Sequence, residues 1–191
     1  MRKITFDIET RNFFQDVGSN DPTALDISVV CIHDSETDEY SSYFEKDFNK
    51  LWPIIEQADA LITWNGDHFD IPLLDKYYPG DLSKIKSIDL MKEVRLVLGR
   101  RLKLDSVAEA TLGINKSGQG IQAVEWWRSG ELDKLVKYCI DDVKITKDLY
   151  DYCIKNGHLK YKDMGVLKDI KINTANWETK QENAMTYTLP F

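Results

Sequence analysis

Asp7 and Glu9 stand two positions apart in the run Ile4-Thr5-Phe6-Asp7-Ile8-Glu9, where apolar and polar residues alternate strictly. Period-two alternation marks a strand with one buried face, so Ile4, Phe6 and Ile8 face a core while Thr5, Asp7 and Glu9 share the other side. Two carboxylates held that close repel, and one takes up a proton unless a cation sits between them. A solvated edge strand would explain a lone D-x-E without any chemistry, but the apolar row Ile4-Phe6-Ile8 speaks for a central strand.

A second group, Asn65-Gly66-Asp67-His68-Phe69-Asp70, follows the strand-like run 60–64 and opens a helix. A strand-to-helix crossing places a carboxylate at the mouth of a sheet, where ligands bind in α/β folds. Taken alone the segment reads equally as Asp67 or Asp70 capping the helix, a role worth ~1 kcal/mol. A third group, Tyr138-Cys139-Ile140-Asp141-Asp142, lies in a long helical run. Tyr138 and Asp142 are one turn apart there, so a phenol and a carboxylate share a face.

These residues need a framework. Strands are expected at 4–9, 26–33, 40–44 and 60–64, the middle two as arms of a hairpin or meander across the polar stretch 34–38. Helices are expected over 48–58, capped by Asp47 and tolerating Pro53 only in a first turn, and over 69–78, stopped by Pro79-Gly80. Further helices cover 91–98, 106–112 and 122–128, each ended at a glycine, and 131–154, with Leu132, Leu135, Val136, Cys139, Ile140, Val143 and Leu149 as its apolar stripe. Residues 11–21 read as loop, and beyond Asn156-Gly157 a hairpin is expected around Gly165, followed by a tail without clear pattern. A β-meander followed by helices alternating with strands, without repeat or linker, predicts one three-layer α/β domain over 1–191, its core about 1–155 and its C-terminal hairpin and tail about 156–191.

The length of 191 residues fits a single domain, which should bury roughly 70% of its unfolded surface. With 42% apolar and 30% charged residues, disorder, collagen and a disulfide scaffold are excluded. Cys31, Cys139 and Cys153 are odd in number and far apart, which predicts buried thiols in a reducing compartment and speaks against a structural zinc site. No apolar run approaches the ~20 residues of a membrane span, so a soluble, cytoplasmic protein is expected. The net charge of −7 argues at first sight against a nucleic-acid partner, unless part of it is committed to a metal site.

The order D-x-E, N-x3-F-D, Y-x3-D resembles the three exonuclease motifs of the DnaQ-like superfamily, in its tyrosine-containing DEDD branch. The strings Phe6-Asp7-Ile8-Glu9-Thr10, Trp64-Asn65-Gly66-Asp67-His68-Phe69-Asp70-Ile71-Pro72-Leu73-Leu74 and Tyr138-Cys139-Ile140-Asp141-Asp142 are similar to the proofreading exonuclease domain of family B DNA polymerases. The resemblance implies an α/β, ribonuclease H-like three-layer fold with a mixed central sheet flanked by helices. It implies a metal-dependent 3′–5′ exonuclease acting on the 3′ end of single-stranded nucleic acid, with DNA as the expected substrate and two divalent ions, Mg²⁺ or Mn²⁺, as cofactors. Carried over position by position, Asp7, Glu9, Asp70 and Asp142 are the metal-binding carboxylates, and Tyr138 helps orient the attacking water. Asn65 and Phe69 shape the second motif, the phenylalanine by packing and the asparagine by bonding to backbone or substrate. The histidine branch would place its base five residues before the last aspartate, where Lys137 stands. Asp141, three residues from Tyr138, rivals Asp142.

Two ions ~3.5–4 Å apart would activate the attacking water and stabilise the leaving 3′ oxygen, and hard oxygen ligands suit Mg²⁺ or Mn²⁺. An exoribonuclease is the alternative, since carboxylates and metals recognise phosphate rather than sugar. A ribonuclease H-like module that binds without cleaving would be marked by a missing carboxylate. The chain is too short to include a polymerase, so proofreading would need a polymerase or a replication or repair partner in trans.

Phe13 and Phe14, in the loop after the first motif, are candidates for stacking on bases. Trp126 and Trp127, ahead of Arg128, could also stack on bases, but adjacent residues face different ways on a helix, so at least one is expected in the core and Phe13 and Phe14 are the better candidates. His33, His68 and His158 lack metal-ligand spacing and read as surface residues, and Asp89 reads as structural. Seven basic residues between Lys84 and Lys103 against Asp89 and Glu93 form a basic stretch in an acidic chain, read equally as a backbone-tracking groove or as a solvated helix.

Overall fold

The computed structural model describes residues 1–114 and 120–180. In chain order the elements are β1 (Lys3–Thr10), α1 (Phe14–Val17), β2 (Ile27–Asp34), β3 (Glu39–Tyr43), α2 (Phe48–Glu56), β4 (Ala60–Thr63), α3 (Asp70–Asp75), β5 (Ser87–Asp89), α4 (Leu90–Leu98), α5 (Leu104–Leu112), α6 (Gly120–Ser129), α7 (Leu132–Asn156), β6 (His158–Asp163) and β7 (Val166–Lys171). Five strands form a mixed sheet in the order β3-β2-β1-β4-β5, and β6 and β7 form a separate hairpin. β1 is central, antiparallel to β2 and parallel to β4, so the D-x-E pair lies on a middle strand.

The alternation of β1 sorts two layers. Ile4, Phe6 and Ile8 pack with Leu51 and Ile55 of α2 and Leu73 and Leu74 of α3. Each such burial contributes roughly 1.5–3 kcal/mol, which holds β1 in place despite its acidic far face. On that far side α7 crosses the sheet, with Leu135, Cys139 and Val143 against Val29 and Cys31 of β2. Thr10 pairs with Ile27 but Glu9 with Val29, which leaves Ser28 as the extra residue of a bulge beside Glu9. The bulge lets Ile27 share a core with Val30 and Ile32 although their numbers differ in parity. A third cluster joins α4, α5, the second half of α7 and the hairpin, with Val107, Leu149, Cys153, Leu159 and Ile170 buried together.

The hairpin is thus packed into the helical layer, and Thr111 of α5 bonds both the amide and the carbonyl of Lys160. The segment after it is tied down as well: Trp177 stacks on Tyr150 at 5.5 Å, Glu178 pairs with Lys3 at 2.6 Å, and Lys86 donates to the carbonyls of Asn176 and Thr179. At the N-terminus Arg2 grips Asp34 through two hydrogen bonds of 3.2 and 2.6 Å. Burial alone would raise the Asp34 pKa, but the Arg2 guanidinium and the Glu36 amide outweigh it and hold the carboxyl below its ordinary value. A carboxyl with a lowered folded pKa stabilises the fold above its unfolded pKa of ~3.9 and loses that contribution as pH falls further. Arg2→Met is therefore expected to cost about 1.5–3 kcal/mol in urea unfolding at pH 7, with the deficit shrinking below pH ~4.

Several expectations are corrected. Pro53 is the sixth residue of α2 rather than part of its first turn. It is exposed, so water can satisfy the carbonyl its missing N–H leaves behind. Asp47 spends its side chain on Lys50, at 2.8 Å, instead of capping the helix backbone. α3 ends at Asp75, because Tyr77 and Tyr78 turn tightly onto the carbonyl of Leu74. The 11–21 stretch contains the one-turn helix α1, where Asp16 accepts from the Phe13 amide at 2.7 Å. His33 is buried, bonded to Asp38 at 2.9 Å and set against the Tyr40 ring. Cys31, Cys139 and Cys153 are free and buried, as expected. Residues 181–191 of the patternless tail lie outside the described residues, and among those described no helix is long and apolar enough to cross a membrane.

Candidate active site

One carboxylate oxygen from each of Asp7, Glu9 and Asp142 lies within 4.8 Å of the others. Period two brings Asp7 and Glu9 to the α7 side of β1, and the apolar stripe of α7, docked on Val29 and Cys31, turns Asp142 toward them. Asp142 is only 6% exposed. Three acidic oxygens gathered this closely, one of them buried, are a hard donor set that suits a divalent cation. Asp141, the neighbouring candidate, is half-buried and lies outside this group.

Asp70 approaches from the other direction. β1 and β4 pair only from Lys3 to Thr5, so the two strands part company before the acidic segment of β1. Into that gap Asp70, the first residue of α3, reaches to accept the Ile8 amide at 3.2 Å, between Asp7 and Glu9 in sequence. The side chain is 4% exposed. Burial, reinforced by the charges of Asp89 and Asp142, pushes its pKa up to about 7 even though its own amide and that of Ile8 favour the charged form. Only through Asp142 does this shift tie Asp70 to the close triad, of which the Asp70 oxygens are not part.

The loop that delivers Asp70 is built around a residue that the sequence marks only as structural. Asp89, at the end of β5 and 4% exposed, accepts from the amides of Asn65 at 2.8 Å, Asp67 at 3.2 Å and Lys92 at 3.1 Å. Its capping of α4 is visible in the sequence as an aspartate ahead of a helix, but its grip on the 65–67 loop spans more than twenty residues and is not. Asn65 sits at φ +73°, and its carbonyl accepts from His68 and Phe69, which turns the chain into α3. Its side-chain Oδ1 is buried with no hydrogen-bond partner among the described residues. Gly66 is required for space: a Cβ there would lie 2.2 Å from Thr63 Oγ1 and 2.5 Å from Thr63 Cβ. Gly66→Ala is expected to destabilise the fold by about 1–3 kcal/mol in chemical denaturation, because Thr63 is itself fully buried and cannot yield.

Tyr138 is 8% exposed, one turn before Asp142, and its ring meets Trp126 of α6 edge-on at 5.7 Å. Trp127 turns the other way, onto Phe44 and Arg11, so the two tryptophans do diverge and both are half-buried. Cys139, which the sequence marks only as a packed thiol, donates toward Asp7, at 3.4 Å from its carbonyl oxygen and 3.7 Å from Oδ2. Burial, the adjacent Cys31 and the charges of Asp7 and Glu9 all push its pKa well up, so it stays a neutral thiol beside the carboxylates.

The remaining candidates are placed less centrally. Phe69 and Phe14 meet edge-on at 6.2 Å and pack against the cluster around Phe6, so Phe69 packs as the second motif expects, whereas Phe14 is not the exposed aromatic expected of a loop. Phe13 is half-buried beneath Arg128, with 5.3 Å between guanidinium and ring centre. In the basic stretch Lys92 pairs with Asp67 at 2.5 Å, Arg100 with Asp163 at 3.9 Å, and Lys86 with carbonyls of the C-terminal segment, so these three charges serve the fold. A cleft of about 730 Å³ near Asp67, Asp75, Lys86 and Lys92 contains none of the four candidate carboxylates.

The fold and sequence are similar to those of known proteins. The structure is similar to that of the family B DNA polymerase from the hyperthermophilic archaeon Pyrobaculum calidifontis, with a TM-score of 0.63 and 19% identity over 81% of this chain and 24% of the polymerase, a likeness of fold. In sequence the chain is 29% identical to a DNA polymerase of Thermococcus aggregans and 28% identical to one of Thermococcus litoralis, in each case over 49% of this chain. It spans 7% of the length of each of these relatives. Both comparisons agree with the resemblance carried by the three acidic motifs. The profile of the RNase_H superfamily matches residues 4–154, from the start of the central strand to the end of the long helix that carries Asp142, and the chain belongs to that superfamily.

Proposed function

We propose that this protein is a metal-dependent 3′–5′ exonuclease that removes nucleotides from single-stranded nucleic acid, DNA foremost. The observation that carries the reading is the convergence of Asp7, Glu9 and Asp142 from a central strand and a crossing helix, with Asp70 reaching the backbone between the first two. Superfamily membership supports nuclease chemistry in general, and the motif order together with the DNA polymerase relatives supports the finer assignment and a replication or repair context. The proposal treats residues 1–191 as one exonuclease unit.

Asp7, Glu9 and Asp142, with Asp70, would hold Mg²⁺ or Mn²⁺. Bound there, such ions lower the pKa of water to make a nucleophile and stabilise the leaving 3′ oxygen. The protein's own part is placement. β1 fixes Asp7 and Glu9 at one spacing, and Asp70 is oriented by the Ile8 amide. Tyr138, whose phenol O–H is a hydrogen-bond donor, orients the attacking water rather than taking its proton.

The test is digestion of end-labelled single- and double-stranded DNA and RNA with Mg²⁺, Mn²⁺ or EDTA. Stepwise shortening of single-stranded DNA from the 3′ end, absent in EDTA, is expected. Preference for RNA would reassign the substrate, and no hydrolysis of any strand with either metal would overturn the enzyme.

A further inference from the structure

We infer that the cleft just beyond the acidic end of β1, walled by Arg11 and Trp127, is a stacking site for a base of the unpaired strand, next to the nucleotide held at the carboxylates. The inference deepens the exonuclease reading and rests on it for the position of the phosphate.

Arg11 continues the row begun by Asp7 and Glu9. It follows β1 directly, and its amide still bonds the Asp26 carbonyl at 2.8 Å, so the two-residue step along the strand carries on and brings its side chain about 7 Å beyond Glu9 on the α6 and α7 side. There the guanidinium lies 5.0 Å from the centre of the Trp127 ring, and the Phe44 ring lies 6.4 Å from the indole. Arg11, Trp127 and Phe44 line a cleft of about 520 Å³ that is completed by Glu45, Lys46 and Leu132. Its rim is open, since Glu45 and Lys46 are exposed and Leu132 is 38% exposed.

Three features favour a base over packing alone. An indole beside a guanidinium, with a lysine at the rim, is the combination by which proteins hold single strands without reading sequence. The internal partners do not satisfy Arg11: Glu45 takes Nη2 at 2.5 Å, but Nε is buried with no hydrogen-bond partner among the described residues. The cleft also adjoins the proposed chemistry, because Arg11, which lines it, stands two residues after Glu9 in the row that carries Asp7. A second guanidinium–ring pair, Arg128 on Phe13, joins the same two segments in the reverse sense. Loop and α6 thus clasp one another by exchanging cation–π contacts, the kind of contact to which a base can be added as a further layer.

The experiment measures binding in EDTA, where hydrolysis does not intervene, with a fluorescein-labelled oligothymidylate and a series carrying one abasic position stepped inward from the 3′ end. In the wild type, one abasic position near the 3′ end should weaken binding about tenfold, the usual effect of losing one stacked base. In Trp127→Leu the intact strand should weaken by a similar factor and the same abasic position should cost nothing further, while Trp127→Phe keeps most of the affinity. A wild type indifferent to every abasic position, or a Trp127→Leu protein that still pays the full abasic penalty, would overturn the site. As a check that needs no variant, 5-iodouracil at the sensitive position should photocross-link the wild-type protein at Trp127, and cross-linking confined to other segments would also overturn it. Because binding is read without metal, coupling without hydrolysis would sink the exonuclease reading and leave the stacking site standing. Hydrolysis without coupling would do the reverse.

Discussion

Asp142→Ala is expected to lower metal-dependent 3′ degradation by about 10³-fold or more, while Asp141→Ala stays within a few-fold of wild type. The contrast follows from geometry on one helix. Consecutive residues of α7 point about 100° apart, and only Asp142 reaches the group formed by Asp7 and Glu9. Removing one carboxylate from such a set forfeits several kcal/mol of charge stabilisation in the transition state, and each 1.36 kcal/mol is a factor of ten in rate. Asp142 is almost fully buried among like charges, so the alanine variant should fold at least as well as wild type. Initial rates on labelled single-stranded DNA, with circular dichroism to verify the fold, decide the matter. Activity that survives in Asp142→Ala and disappears in Asp141→Ala would move the fourth ligand to Asp141.

Neighbouring aspartates that only the fold can tell apart illustrate which features a sequence states by itself and which it does not. The acidic pair of β1 is legible because a single period-two run states both the buried face and the face that carries Asp7 and Glu9. The helix stops at Gly99, Gly113, Gly130 and Gly157 are legible because a left-handed residue after a helix is a local demand, and all four have positive φ. What stays hidden depends on partners far along the chain. That Asp89 organises the 65–67 loop, that Phe14 packs against Phe69, and that Arg100 finds Asp163 are consequences of the assembled sheet. The basic stretch misleads for the same reason, because charge counted in sequence does not reveal which charges are consumed by neighbours in space. Arg11 belongs to both categories: its place in the Asp7-Glu9-Arg11 row is local, whereas Trp127 arrives from α6.

Asp70→Asn should stabilise the metal-free protein at pH 8 by about 1–3 kcal/mol while removing metal-dependent activity. The asparagine keeps an oxygen for the Ile8 amide and gives up the charge that burial, Asp89 and Asp142 all disfavour. The sign with pH follows from the raised folded pKa of about 7 against an unfolded value of ~3.9. Between these values the native state holds a proton that the unfolded chain has released, so the wild type's stability contribution from Asp70 is intact below pH ~4 and is lost as pH rises through about 7. The advantage of Asp70→Asn over wild type in EDTA should therefore be small at pH 4, grow through the neutral range and level off by pH 8. Taking the difference between the two proteins removes the opposite slope that Asp34 contributes at acid pH. Adding Mg²⁺ at pH 8 should then narrow or invert the gap, since an ion that binds only the folded wild type stabilises it by mass action while the variant has lost a ligand. Equal stability of the two proteins at pH 8 in EDTA would show that Asp70 carries no excess charge energy, and a gap indifferent to Mg²⁺ and Mn²⁺ alike would remove it from the metal site.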